Sequence, residues 1–181
     1  MLKVIVAILL ALGAMVAIVA LLGGRLPVGH VASRSAVIGA PTDVVFNTMT
    51  DFGTGPSWRS GLKSVTVTMD AATGRQRVTE VSKMGTMTME VGQLVPPTRF
   101  VTRIVDEDLP YGGAWAWALE PQGNFTRVTI TEHGEVYNPI FRFIAKYIMG
   151  HNGTMDTYLM DLGRKFGSEV VPVDAAPVPL K

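Results

Sequence analysis

Glu132 and His151 are the two residues of this chain whose type and placement could move a proton. Glu132 shares one face of an alternating run with Val128 and Ile130, and His151 interrupts the apolar stripe of the last helical segment. If both point inward they can meet, and a desolvated carboxyl beside an imidazole is an acid/base couple suited to enolisation, cyclisation or dehydration. Two other readings stand beside this one: His151 marks a kink between Gly150 and Gly153, and Glu132, near a strand end, reaches solvent.

A second group of residues offers surface rather than reactivity. Trp115, Trp117 and Leu119 alternate with Ala114, Ala116 and Ala118, so one strand face carries two indoles. Facing inward, they would present flat area to a ring or acyl chain and an N–H to its polar end. Trp58 stands before the next strand, and Met87 and Met89 supply flexible thioethers that adapt to varied shapes. Tyr147 and Tyr158 lie on the final helix, where each can pack as a core aromatic or donate to a headgroup. Tyr111 falls in the turn Leu109–Gly113, which reads as a plain turn or as a lid. These eight positions are the candidate ligand contacts.

Other chemistries lack their residues. The chain has no cysteine, which removes disulfides, thiolate nucleophiles and thiolate metal ligands. Its histidines His30, His133 and His151 have no metal-binding spacing, so no metal is expected; no phosphate-binding glycine loop or nucleophile elbow is present, and no cofactor is expected. With 16 Lys and Arg against 15 Asp and Glu, no basic stripe exists to neutralise a nucleic-acid backbone.

The elements that must position these residues follow from periodicity. Val31 to Gly39 reads as a strand, and Pro41 opens a short helix with Val45, Met49 and Phe52 on one face. A second helical turn surrounds Trp58. Six more strands follow in hairpin succession, punctuated near Ala71–Gly74, Gly85, Pro96–Pro97, Pro110–Gly113 and Pro121–Gly123. Asn138–Pro139 begins a long amphipathic helix, whose apolar stripe runs from Ile140 and Phe143 to Leu162 and Phe166. The reading is an α+β domain: a seven-stranded antiparallel sheet, two short helices after the first strand, and one long C-terminal helix. Residues 168–181, rich in proline and without period, read as a disordered tail.

Ahead of the domain, Val4 to Leu22 are nineteen consecutive apolar or small residues, twelve of them Leu, Ile or Val. As a helix they reach ~28 Å, close to the ~30 Å hydrocarbon thickness. Because this run exceeds the apolar core of a signal peptide and no small-x-small site follows it, it reads as a retained single-pass anchor rather than a cleaved leader. The flanking charges, Lys3 against Arg25 and Arg34, are nearly balanced, and the domain is assigned outside the cytoplasm. The chain thus divides into an anchor at 1–24, a linker at 25–30, a domain at 31–167 and the tail.

The order of elements, the helix start Ala40-Pro41-Thr42-Asp43-Val44-Val45-Phe46, Trp58 before the second strand and Asn138-Pro139-Ile140-Phe141-Arg142-Phe143 together resemble the SRPBCC or START-like superfamily, the polyketide cyclase/dehydrase and lipid-transport type. The resemblance covers about Val31 to Gly167. It implies a helix-grip fold, in which a curved sheet wraps the C-terminal helix around a hydrophobic cavity. It also implies a partner that is a lipid or other hydrophobic small molecule; a minority of such proteins catalyse reactions there, and no universal catalytic residues exist to carry over. The expected function is a membrane-anchored binding domain. The alternative is a cyclase/dehydrase-type enzyme using Glu132 and His151.

Overall fold

In the computed structural model, which describes residues Met1–Lys181, an apolar helix α1 (Leu2–Gly24) precedes an α+β domain. The domain runs β1 (Gly29–Ile38), α2 (Thr42–Thr50), a 3-10 turn (Phe52–Ser57), then β2 (Leu62–Met69), β3 (Gln76–Ser82), β4 (Gly85–Val95), β5 (Arg99–Ile104), β6 (Tyr111–Gln122) and β7 (Phe125–Val136). It closes with α3 (Pro139–Ile144), a π-helical turn (Ala145–Met149), α4 (Gly153–Lys165) and a two-residue strand β8 (Val173–Asp174). The strands form one antiparallel sheet in the order β2-β3-β4-β5-β6-β7-β1-β8. Seven strands are those expected; the eighth comes from the tail.

Pairing register decides what each face carries, because partners directly opposite share a face. Trp117 opposes Ile130 and Phe100, Leu119 opposes Val128, and Ala36 opposes Val128, so these residues line one concave surface. Against it pack Val45, Phe46 and Met49 of α2 and Met155, Tyr158, Leu159 and Leu162 of α4, forming a single core. Each large apolar side chain so buried contributes roughly 1.5–3 kcal/mol.

The final helix departs from the continuous element expected. Asn138 caps its first turn, its side chain accepting from the backbone N–H of Ile140 at 2.9 Å, with Pro139 pre-set for the first helical position. The helix then passes through a π turn and stops at Gly150, whose φ of 73° and ψ of −179° no helix contains. The two halves therefore part company. α4 packs on β1 and β7, while α3, joined to the end of β7, packs chiefly against α1. Gly23 permits that contact, since a side chain there would collide with the backbone of Pro139.

Residues 168–181, expected as a loose tail, cross the convex face of the sheet. β8 pairs with β1, Val178 donates its N–H to Thr131 Oγ1 at 2.8 Å, and Val178 and Leu180 cover Val101, Ala114 and Ala116. The prolines that obscured this in the sequence are consistent with an extended strap, because proline suits an edge or irregular path but not a helix. Arg34 fastens the arrangement from β1, bonding Asp156 of α4 and Asp174 of β8, each at 2.6 Å. The hydrogen bond and charge of Asp156 raise the Arg34 pKa above its ordinary value despite the cost of desolvation.

Candidate functional site

At the end of the concave face nearest α1, Glu132, His30 and His151 form one cluster. Glu132 of β7 lies beside His30 of β1, the His30 Nε2–H donating to Glu132 Oε1 at 2.9 Å. His151, in the break before α4, stacks on the His30 ring with centroids 3.7 Å apart and planes at 24°. His30 thus touches both of the residues that the sequence suggests as a couple. Both His30 and Glu132 keep about a fifth or less of their side-chain surface exposed. Gly134 makes the arrangement possible: a side chain there would collide with the His30 ring and the Glu132 carboxylate. Burial, then the nearby charge of His30, lowers the His151 pKa below its ordinary value, against the pull of Glu132.

Chemically this is a carboxylate orienting an imidazole, with a second imidazole held flat against the first. Carboxylate support fixes the tautomer and the orientation of the ring. The stacked rings present faces to each other rather than converging nitrogens, and no three His, Asp or Glu side chains gather as metal ligands.

The middle of the concave face is aromatic. Trp117 stacks on Phe100 at 4.9 Å and meets Tyr158 at 4.8 Å, while Trp58 meets Tyr158 edge-on at 5.2 Å. Trp117 and Tyr158 are buried, and the space beneath α4 is filled by these rings with Met155, Leu159 and Leu162. Burial pushes the Tyr158 hydroxyl pKa well above the usual phenol range. The hollow expected between the closing helix and the sheet is therefore occupied at this level. Clefts of about 320 and 480 Å³ lie instead on the convex side, beside the tail, lined by Ser35, Arg127 and Val170 in one and by Arg75, Glu90 and Leu180 in the other.

Further along the concave side the apolar lining is less deeply buried. α4 packs on β1 and β7, and beyond it Met87, Met89, Ile104 and Trp115 stay half-buried. Register puts them on one surface, Met89 opposite Ile104, and Trp115 opposite Thr102 and Glu132. A polar cluster borders that surface. Arg59 pairs with Glu80 through its two terminal guanidinium nitrogens, Glu80 is buried, and the Arg59 guanidinium lies 5.0 Å over the Tyr158 ring. Asp161 of α4, also buried, accepts from the Ser60 N–H at 2.7 Å and from its hydroxyl at 3.0 Å. The Trp58 indole N–H is buried with no partner.

The structure thus brings together Glu132, His151, Trp115, Trp117, Trp58 and Tyr158, with Met87 and Met89 on β4, two strands from β6 on the same face. Two candidates sit elsewhere. Tyr147 is exposed in the π turn, packed on Phe143 at 4.9 Å, because the break at Gly150 carries it away from the sheet. Tyr111 is the first residue of β6, paired with Val136, rather than part of a lid loop. His30, Arg59 and Glu80 escaped the sequence reading. Glu80 offered the same signal as Glu132, a charge sharing a strand face with Val78; His30 offered none, because its role depends on pairing with β7.

A concave antiparallel sheet gripping a C-terminal helix, with aromatic and titratable residues at its open end, defines the START-like helix-grip class. The family described as polyketide cyclase / dehydrase and lipid transport matches residues 30–155. The chain belongs to that family. Solved structures share the fold at low identity. A conserved protein from Geobacillus kaustophilus superposes with a TM-score of 0.63 at 14% identity, covering 79% of this chain and 99% of its own. A START superfamily protein from Mycobacterium smegmatis gives 0.58 at 15%, covering 76% and 97%. Norcoclaurine synthase from Thalictrum flavum, a point mutant in complex with a transition-state analogue, gives 0.60 at 10%, covering 78% and 97%. No curated protein matches the sequence.

Proposed function

We propose that this protein is a membrane-anchored domain that binds a lipid or similar apolar molecule on its concave face. The observation that carries the reading is the half-buried apolar surface of Met87, Met89, Ile104 and Trp115 on one face of the sheet. An apolar surface bordered by a few oriented polar groups is the usual makeup of a small-molecule site. The unpartnered Trp58 N–H supplies a donor for the polar end of a guest. α1 supports the anchor: its 23 residues rise ~34 Å, enough to span a bilayer, and none of its charges interrupts Val4–Leu22. Held there, the domain faces the source of its ligand.

Native mass spectrometry of the detergent-purified chain, with extraction of bound material, tests the reading. Expected is a co-purifying apolar molecule, lost in a Met89→Asp variant, and a melting temperature that rises on adding the extracted species. If nothing apolar co-purifies and added lipids leave the melting temperature unchanged, the reading fails.

The Glu132–His30–His151 cluster favours a second reading, an enzyme of cyclase or dehydrase type in which the His30 imidazole, oriented by Glu132, is the base. Norcoclaurine synthase supports the idea that this fold can house catalysis. The two readings separate on Glu132→Gln, which leaves ligand content unchanged in a binding module and stops conversion of the extracted molecule in an enzyme.

A further inference from the structure

We infer that α3 and the π turn after it form a second membrane contact, a shelf that dips into the bilayer surface beside α1. The inference rests on the anchor reading of α1 given above. Four large apolar side chains on this short stretch face solvent: Phe141 is 52% exposed, Tyr147 62%, Ile148 72% and Met149 76%. Nothing in the fold covers them. Their neighbours explain what does.

Along α1, Leu2 to Ile18 are exposed, and burial begins at Val19, Ala20 and Gly23, one face of its final turns. That face is where α3 sits. The backbone of Pro139 lies against Gly23, and the Arg142 guanidinium donates to the Leu26 carbonyl at 2.8 Å. A helix of ~34 Å in a hydrocarbon layer of ~30 Å leaves its last turns at the acyl and headgroup boundary. α3, packed on those turns, is held at the same depth.

The chemistry of the shelf suits that depth. A tyrosine amid Phe, Ile and Met places an amphipathic ring at the interface, and the exposed Arg25 and Lys146 flank it with positive charge for lipid phosphates. The break at Gly150 then has a consequence: it releases the first half of the closing helix from the sheet and gives it to the membrane. His151 follows directly, so the open end of the concave face, where His30 and Glu132 lie, is at the bilayer side. The β6–β7 turn, by contrast, is some eleven residues of β7 away, ~36 Å at ~3.3 Å per residue.

The absence of cysteine makes the test clean. Single substitutions Ile148→Cys, Met149→Cys, Leu12→Cys and Phe125→Cys are made in the full chain, labelled with an environment-sensitive fluorophore and reconstituted into phosphatidylcholine/phosphatidylglycerol vesicles. Quenching by a nitroxide on the lipid acyl chain is then read, with circular dichroism checking each variant's fold. Expected is several-fold stronger quenching at positions 148 and 149 than at 125, with position 12 also quenched. If position 12 is quenched while 148 and 149 match 125, the shelf is overturned and the anchor stands. If position 12 itself reads as water, the anchor reading fails and the shelf, which depends on it, falls with it.

Discussion

His30 and His151 stack face to face, 3.7 Å between centroids, although 121 positions separate them in the chain. Two imidazoles so placed cannot both carry charge cheaply, and the environment of His151 favours its neutral form. Burial and the nearby His30 lower its pKa, while Glu132 pulls the other way and Lys146 adds a further small repulsion.

The sign of the pH dependence follows. A folded-state pKa below the ordinary 6.5 means that the unfolded chain takes the proton first. The stabilisation is present above 6.5 and is lost as the pH falls through the lowered folded value. Melting temperature measured from pH 7.5 to 5 should therefore decline, and in His151→Gln the decline should be shallower. An unchanged slope in that variant would refute the assignment.

Gly134→Ala tests the geometry of the cluster without removing any of its members. The added methyl requires the His30 ring and the Glu132 carboxylate to move, so their hydrogen bond should break. Imidazole resonances in NMR spectra should report the change, with His30 losing its carboxylate partner. A spectrum matching the parent would show that the ring does not lie over Gly134.

Trp117→Ala and Trp115→Ala should separate packing from binding. Trp117, 5% exposed between Phe100 and Tyr158, should cost about 3–5 kcal/mol in urea unfolding, as aromatic truncations in a core do. Trp115 is half-buried and should cost clearly less, while reducing the amount of apolar molecule that co-purifies.

Arg59→Met leaves the buried Glu80 carboxylate without its partner. Breaking a buried pair in this way typically costs about 3–5 kcal/mol, and the partial exposure of Arg59 places the expected loss at the lower end. The double variant Arg59→Met/Glu80→Leu should recover much of it, since an apolar pair removes the unpaired charge. Urea unfolding of both variants checks the prediction.

Val178→Asp should loosen the strap over the convex face. It puts a charge against Val101, Ala114 and Ala116, and the expected loss is on the order of 1–3 kcal/mol. Limited proteolysis should then cut within residues 168–181 sooner than in the parent chain.

Local pattern determined the elements. Alternation fixed which residues of β6 and β7 share a face, since a period of two leaves one choice once a core side is assigned, and Trp115 and Trp117 with Glu132 were legible for that reason. Asn138–Pro139 marked a helix start through capping chemistry, and Val4–Leu22 marked α1 by length and composition. The apolar stripe, however, kept its phase across Gly150, so periodicity predicted one helix where the backbone makes two; only the partners decided, with the sheet taking α4 and α1 taking α3. The tail was illegible for a related reason: an extended strap has no period of its own and draws its order from hydrogen bonds to β1 and β7. His30 joined Glu132 because β1 pairs with β7 at the far end of the sequence, and contacts of that kind are written in register and curvature rather than in any local spacing.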